Sequence, residues 1–318
     1  MTTAVISALA GAAREAAHTG PGECGGCGTD ESVLAERDDG VVVRHGPAVA
    51  KAHAADTDPA AHRVRIAVAA DPRLAGILLA PLPLSARETH GRPVTAWPYG
   101  LPVDPRDPGA APWEETAVLL ARLHRVDPAA LPGPLPPARG PAKVVRALAR
   151  MRARAGRHPY AAVVEAACAR LPAWARGAAP APRRRLCHGD LHLGQLVRHP
   201  APGGPWLLID VDDLGIGDPT WDLARPAAWY AAGLLPREVW RRFLGAYTAA
   251  RGPAVDPGED PWRWLDVPAR ALTVQTAALA LVRAAAERRE PDEDDLAVIG
   301  ACDRIASLPV HPDGTAPV

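Results

Sequence analysis

Alternation of apolar and polar positions marks the first elements of the chain. Val41-Val42-Val43-Arg44 is a β-branched run, His45-Gly46-Pro47 turns it, and Ala48 to His53 alternates as a second strand. Asp58-Pro59 is a helix start signal, and Ala60 to Ala70 is helical in composition. Leu74 to Leu79 and Val94 to Trp97 read as two further strands. Trp113, Ala117, Leu120 and His124 share one face of a helix over Trp113 to Val126. Residues 4–13 read as an amphipathic helix. Beyond Asp222 the pattern is helical with proline breaks, over Leu223 to Leu235, Pro236 to Arg251, Val267 to Glu287 and Asp292 to Leu308. In the last of these, Leu296, Ile299, Cys302 and Ile305 recur every three residues as an expected buried stripe.

One segment departs from simple periodicity. His188-Gly189-Asp190-Leu191-His192-Leu193-Gly194-Gln195 is rich in turn formers and reads as a loop. Leu196 to His199 then reads as a strand, Pro200 to Pro205 must turn, and Trp206 to Ile209 is a buried-type strand ending in Asp210. Such a hairpin returns Asp210 to the neighbourhood of Gln195. A carboxylate and an amide oxygen converging there can hold Mg²⁺, a hard cation that prefers oxygen ligands. Asp212 and Asp213 are expected as solvated turn carboxylates, with the metal shell as their alternative.

Composition changes this picture little. The 318 residues can form a full core, and zero net charge gives no bulk field toward nucleic acid or acidic membrane. Alanine inflates the 48% apolar fraction, so the real core is leaner. Five cysteines, an odd number, fit a reducing compartment, and a cytoplasmic location is expected. Cys24 and Cys27 form a Cys-x-x-Cys in a glycine-rich stretch, read as a flexible turn before a zinc or redox site. No apolar run of about 18 residues is read from the sequence, so no membrane span is expected. Arg183-Arg184-Arg185 reads as a solvated face ahead of a strand.

The block from His188 to Asp210, continued by Gly217-Asp218-Pro219-Thr220-Trp221-Asp222-Leu223-Ala224, resembles the aminoglycoside phosphotransferase and choline kinase family. The chain departs from the commoner family pattern in carrying Gln195 where Asn is usual, a form that also looks like that of bacterial maltokinases in the same superfamily. The resemblance implies an α+β, bilobal protein-kinase-like fold. It has a nucleotide-binding lobe with a small antiparallel sheet over residues 1–100 and a mostly helical lobe over 101–318. It implies an ATP-dependent phosphotransferase acting on a small-molecule hydroxyl of aminoglycoside, sugar or amino-alcohol type. The alternative is a non-catalytic, nucleotide-binding or regulatory protein of the same fold.

Residue by residue, the resemblance makes Asp190 the catalytic base, with Gln195 and Asp210 as ligands of Mg²⁺. It makes Lys51 the contact to the ATP α- and β-phosphates; the plain reading is a strand lysine facing solvent, but the chain has only two lysines. Trp97 and Tyr99 fall in the expected hinge beside adenine, where packing is their alternative role. His188 would brace the catalytic loop, Asp222 would anchor its backbone, and Asp218 would cap the following helix. His124 is expected to be a core residue without chemistry. No acid occurs between Pro59 and Ala70 to pair with Lys51, which leaves Asp56 or Asp58 as substitutes. Glu259, Asp260 and Asp266 near Trp262 and Trp264 suit either a sugar or amine grip or packing.

Overall fold

The computed structural model describes residues 2–18, 32–37, 40–84 and 88–308. Cys24, Cys27, Asp38 and Asp39 lie outside them. The chain divides into two compact units. One comprises Met1–Pro112, Ala129–Pro136 and Leu193–Asp212, the other Trp113–Pro128, Pro137–His192 and Asp213–Val318. The expectation cut the chain once, at residue 100; the observed division cuts it several times and puts the hairpin after Gln195 with the N-terminal sheet.

In the first unit helix α1 (Thr2–Ala17) precedes a five-stranded sheet of β1 (Ser32–Arg37), β2 (Gly40–His45), β3 (Ala48–Ala52), β4 (Glu88–Thr89) and β5 (Arg92–Pro98). The strand order is β1-β2-β3-β5-β4, with every pair antiparallel. Val5, Leu9 and Ala13 recur at helical spacing and pack on Val41, Val43, Ala50, Ala52 and Val94. Successive strand residues face opposite sides of a sheet. Lys51, between Ala50 and Ala52, is therefore on the face away from α1, paired in register with Val42 and Thr95.

Helix α2 (Pro59–Ala69) starts as expected, with the Asp58 side chain accepting from the Ala61 amide at 2.7 Å. Leu74 to Leu79 does not form a ladder strand. Its residues make only isolated bridges, and the segment is held by hydrogen bonds from Leu79 to the Leu208 carbonyl and from Leu208 to the Ile77 carbonyl. Strand β6 (Leu101–Pro102) joins the hairpin of β8 (Leu196–Arg198) and β9 (Trp206–Leu208) in a small sheet.

The second unit is built on helices α3 (Trp113–Arg125), α4 (Gly140–Ala155), α5 (Ala161–Ala169), α6 (Thr220–Ala232), α7 (Arg237–Ala249), α8 (Trp262–Glu287) and α9 (Glu293–Ala306), with the short pair β7 (Arg185–Cys187) and β10 (Gly215–Gly217). Helix α8 packs against α4, α6, α5 and α9. By length and composition alone it would pass for a membrane-crossing helix, which the sequence reading did not find. In its most apolar stretch 72% is buried inside the fold, as in a core helix.

Helix α8 also begins earlier than expected, so Trp262 and Trp264 are helical rather than in a loop. Pro268, near the start of the expected helix, lies in the interior of the observed one, which runs on through it although its ring removes one intrahelical donor. In α9 the buried stripe is Asp295, Val298, Ile299, Cys302 and Ile305, while Leu296 is exposed. The stripe starts on Asp295 because that carboxylate closes a capping box with Asp292 and takes Arg283 and Arg289. Arg183 is not a solvated arginine: it pairs with Asp218 and lies over the Trp264 ring.

Candidate functional site

The catalytic-type loop is fixed from beneath by Asp222, in the first turn of α6. Its carboxylate accepts from the backbone amides of His188 at 2.6 Å and Gly189 at 2.8 Å. His124 links Asp222 (2.9 Å) to the Tyr247 hydroxyl (2.8 Å). All these groups are buried. Burial opposes ionisation of Asp222, yet His124 and the two amides hold its carboxyl below the ordinary range. Asp218 accepts from the Thr220 amide and hydroxyl, but α6 starts one residue later than expected, with Pro219 rather than Asp218 at the N-cap position. Gly189 has φ +86°, and a Cβ there would run into the Asp213 carbonyl, so only glycine fits this turn.

On this loop Asp190 is held by two cations. Lys143 Nζ lies 2.6 Å from one carboxylate oxygen, and Arg225 Nη2 donates to the other at 3.0 Å. Arg225 Nε also donates to the Leu191 carbonyl. Burial pushes the Asp190 pKa up, but Lys143 and Arg225 outweigh it and bring the group to about 2. Lys143 reaches Asp213 as well, at 2.8 Å, and Arg139 meets Asp213 at 3.3 Å. Asp213 is thus a paired carboxylate, not the solvated one expected. His192 is pushed down to about 4, mainly by burial, and stays neutral near pH 7. Sequence reasoning missed Lys143 and Arg225. Arg225 directly follows the Asp-Leu-Ala tail, one turn after Asp222, and that spacing was the available signal.

In the first unit the hairpin returns as expected: the Ile209 amide donates to the Gln195 carbonyl at 2.9 Å. Asp210 and Gln195 therefore meet, with the Gln195 side-chain amide 3.4 Å from Asp210 Oδ2. Asp210 has φ 65°, a left-handed conformation uncommon outside glycine but one Asp tolerates. Lys51 Nζ lies 2.7 Å from Asp210 and 2.9 Å from Asp212. Its partners are these carboxylates rather than Asp56 or Asp58; Asp58 is occupied in capping α2. Burial opposes the Lys51 charge, but Asp210 and Asp212 together hold its pKa above the ordinary lysine range.

Asp212, expected to be solvated, is instead the centre of this network. His53 Nδ1 lies 2.8 Å from it, and the other His53 ring nitrogen meets the Thr95 hydroxyl, which also accepts from Trp97 Nε1. Burial raises the Asp212 carboxyl, and Lys51 and His53 pull it well below the usual carboxylate range. His62 on α2 packs edge-on against His53 and is pushed down to about 4, first by burial and then by His53. Trp97 is buried beside Thr95. The Tyr99 ring lies under the Arg44 guanidinium at 3.5 Å, and its carbonyl meets the His199 ring.

Gln195 donates its amide NH₂ toward Asp210 here; turned over, the amide presents its oxygen beside the carboxylate, an all-oxygen donor set. That donor set suits Mg²⁺.

A sequence model of the family described as "Phosphotransferase enzyme family" matches residues 30–265. No curated protein matches. Among solved structures, a choline/ethanolamine kinase family protein from Mesorhizobium loti is similar at 17% identity. The match covers 97% of this chain and 95% of that one, with a TM-score of 0.58. A thermostable aminoglycoside phosphotransferase APH(4)-Ia mutant, in a ternary complex with AMP-PNP and hygromycin B, is similar at 16% identity, covering 87% and 93%, with a TM-score of 0.56. Choline kinase LicA from Streptococcus pneumoniae is similar at 14% identity, covering 88% and 93%, with a TM-score of 0.57. At these identities the likeness is one of fold, and the fold is the protein-kinase-like one that the sequence motifs imply.

Proposed function

The chain belongs to the phosphotransferase enzyme family, and on that footing we propose that it moves the γ-phosphate of ATP to a hydroxyl of a small molecule. The observation that carries the ATP-dependent reading is Asp210, set in a left-handed turn with Lys51 and the Gln195 amide around its carboxylate. A lysine and a carboxylate–amide pair are what triphosphate and its metal require. That a fold neighbour is described in complex with AMP-PNP and hygromycin B supports the same reading.

In this reading Lys51 holds the phosphates of ATP. Asp210 and Gln195 are the residues that would hold Mg²⁺, which when bound neutralises charge on the phosphate oxygens. Asp212, with His53 beside it, is the counter-charge for Lys51 in place of the absent helix acid. Asp190 orients the acceptor hydroxyl and receives its proton as transfer proceeds. Each Asp190 oxygen takes one cation and keeps a second acceptor position, so the hydroxyl can bond without displacing Lys143 or Arg225. With a pKa of about 2 the carboxylate is a weak base, and its main contribution is orientation. Trp97 and Tyr99 are proposed near adenine.

Purified protein with γ-labelled ATP and a panel of hydroxyl acceptors tests the proposal. Acceptor-dependent label transfer, lost in Asp190→Ala, is expected. Mg²⁺-dependent ATP binding with no transfer to any acceptor would favour the non-catalytic reading instead.

A further inference from the structure

Beside Lys51, and wholly within the first unit, three side chains with metal-ligating chemistry converge. His53 directly follows β3, His62 lies on α2, and Asp212 stands in the turn after the hairpin. One donor atom from each lies within 4.8 Å of the other two. Both histidines are buried, His53 to 1% exposure.

The contact between His53 and Asp212 is the unusual feature. Nδ1 and Oδ1 are 2.8 Å apart and buried, yet neither atom makes a hydrogen bond. A hydrogen bond sets the oxygen along the N–H direction. A bound metal takes that direction itself, about 2.1 Å from the nitrogen, and the oxygen ligates from one side, so neighbouring ligand atoms end about 3 Å apart. The pair has the spacing of two ligands without the alignment of a shared proton. Two buried polar atoms left unanswered carry a free-energy cost that a shared cation relieves.

The other valences of these groups are already assigned. His53 Nε2 meets the Thr95 hydroxyl at 2.8 Å, which orients the ring and leaves Nδ1 for an ion. Lys51 takes Asp212 Oδ2 and leaves Oδ1. His62 is kept neutral near pH 7, first by burial, so its imidazole is available as a ligand. Lys51 and Arg65 both act on His62 against Asp212, so net charge does not draw a cation in. Directional nitrogen donors must hold it, which selects a borderline-soft ion over Mg²⁺ or Ca²⁺. Among the described residues a second grouping, His124, Cys187 and Asp222, has its imidazole and carboxylate already hydrogen-bonded.

We infer that His53, His62 and Asp212 form a site for Zn²⁺ or a similar first-row transition-metal ion, apart from the Gln195 and Asp210 pair. The ion ties α2 to the end of β3 and to the turn that supplies the counter-charge of Lys51. The site rests on these donors and does not depend on the kinase reading.

The test uses the full chain, stripped by chelator, with Cys24→Ser and Cys27→Ser to remove the one Cys-x-x-Cys, and with excess Mg²⁺ to occupy oxygen-donor sites. Co²⁺ and Zn²⁺ are the probes. One Zn²⁺ per chain is expected, with a Kd below about 10 µM and a higher Tm when bound. Co²⁺ should give visible d–d bands without thiolate charge transfer. His62→Phe keeps the ring contact and removes the ligand, and is expected to weaken Zn²⁺ binding by about 10-fold or more. Binding no tighter than about 1 mM would overturn the inference, as would equal affinity in His62→Phe. A thiolate band with Co²⁺ would place the ion at Cys187 and also overturn it. The wild-type results decide even if the variant does not fold.

Discussion

Lys51 meets Asp212 at 2.9 Å, and His53 Nδ1 lies 2.8 Å from the same carboxylate. The lysine's counter-charge thus comes from the turn after the hairpin and not from helix α2, whose nearest offering is the neutral imidazole of His62. Asp212→Asn keeps the shape and removes the charge. We expect the Kd for Mg·ATP to rise about 10-fold, in line with the cost of breaking a partly buried charge-assisted bond. Asp58→Asn, at the helix cap, should leave that Kd unchanged and cost at most about 1 kcal/mol of stability. Calorimetry and urea denaturation on both variants separate the two roles.

Asp190 should not report in the pH profile. Its folded pKa is about 2, below its ordinary value, because Lys143 and Arg225 outweigh burial. A depressed carboxylate contributes stability that is complete above its unfolded pKa and is lost only as pH falls through the folded one. The group therefore stays ionised from pH 5 to 8, and kcat/KM over that range should show no inflection that Asp190→Asn abolishes. An acid limb near pH 6 traced to Asp190 would contradict the paired geometry.

The Asp190 cluster also predicts a split between rate and nucleotide affinity. Lys143→Met removes the ammonium that bonds Asp190 and Asp213 while keeping much of the side-chain length. With the carboxylate less well oriented, kcat should fall by about 10²-fold. The Kd for Mg·ATP should stay within about 3-fold. Equal losses in both would place Lys143 in nucleotide binding.

Asp222 is expected to matter through the fold. In Asp222→Asn one oxygen must serve two amides and His124, and an amide NH₂ faces donors. The loss of a fully buried, multiply bonded carboxylate should cost about 3 kcal/mol or more. Thermal and urea unfolding measure it, and a variant as stable as wild type would show that the carboxylate does not anchor the loop.

Much of this was legible in the sequence because it is local. The turn-rich His188 to Gln195 run and the strand pair behind it lie within a few dozen residues, where spacing alone brings groups together. The α1 stripe is likewise a matter of helical period. What was missed depends on distant pairing. Lys51 and Asp212 are far apart in the chain, and nothing in either neighbourhood announces the other. Lys143 stands alone in its helix and acquires meaning only where α4 brings it to Asp190. Leu74 to Leu79 has a strand's composition, but only single residues of it find a bridging partner. In α9 the expected three-residue repeat ran slightly out of step with the true helical period, which is why Leu296 drifts to the surface.

The central claim is a metal-dependent nucleotide site built on Asp210. Calorimetry of ATP binding with and without Mg²⁺, on wild type and Asp210→Ala, tests it most directly. The account predicts binding that requires Mg²⁺ in the wild type and is lost in the variant. Wild-type affinity indifferent to Mg²⁺, or an Asp210→Ala protein that binds Mg·ATP as tightly as wild type, would contradict it.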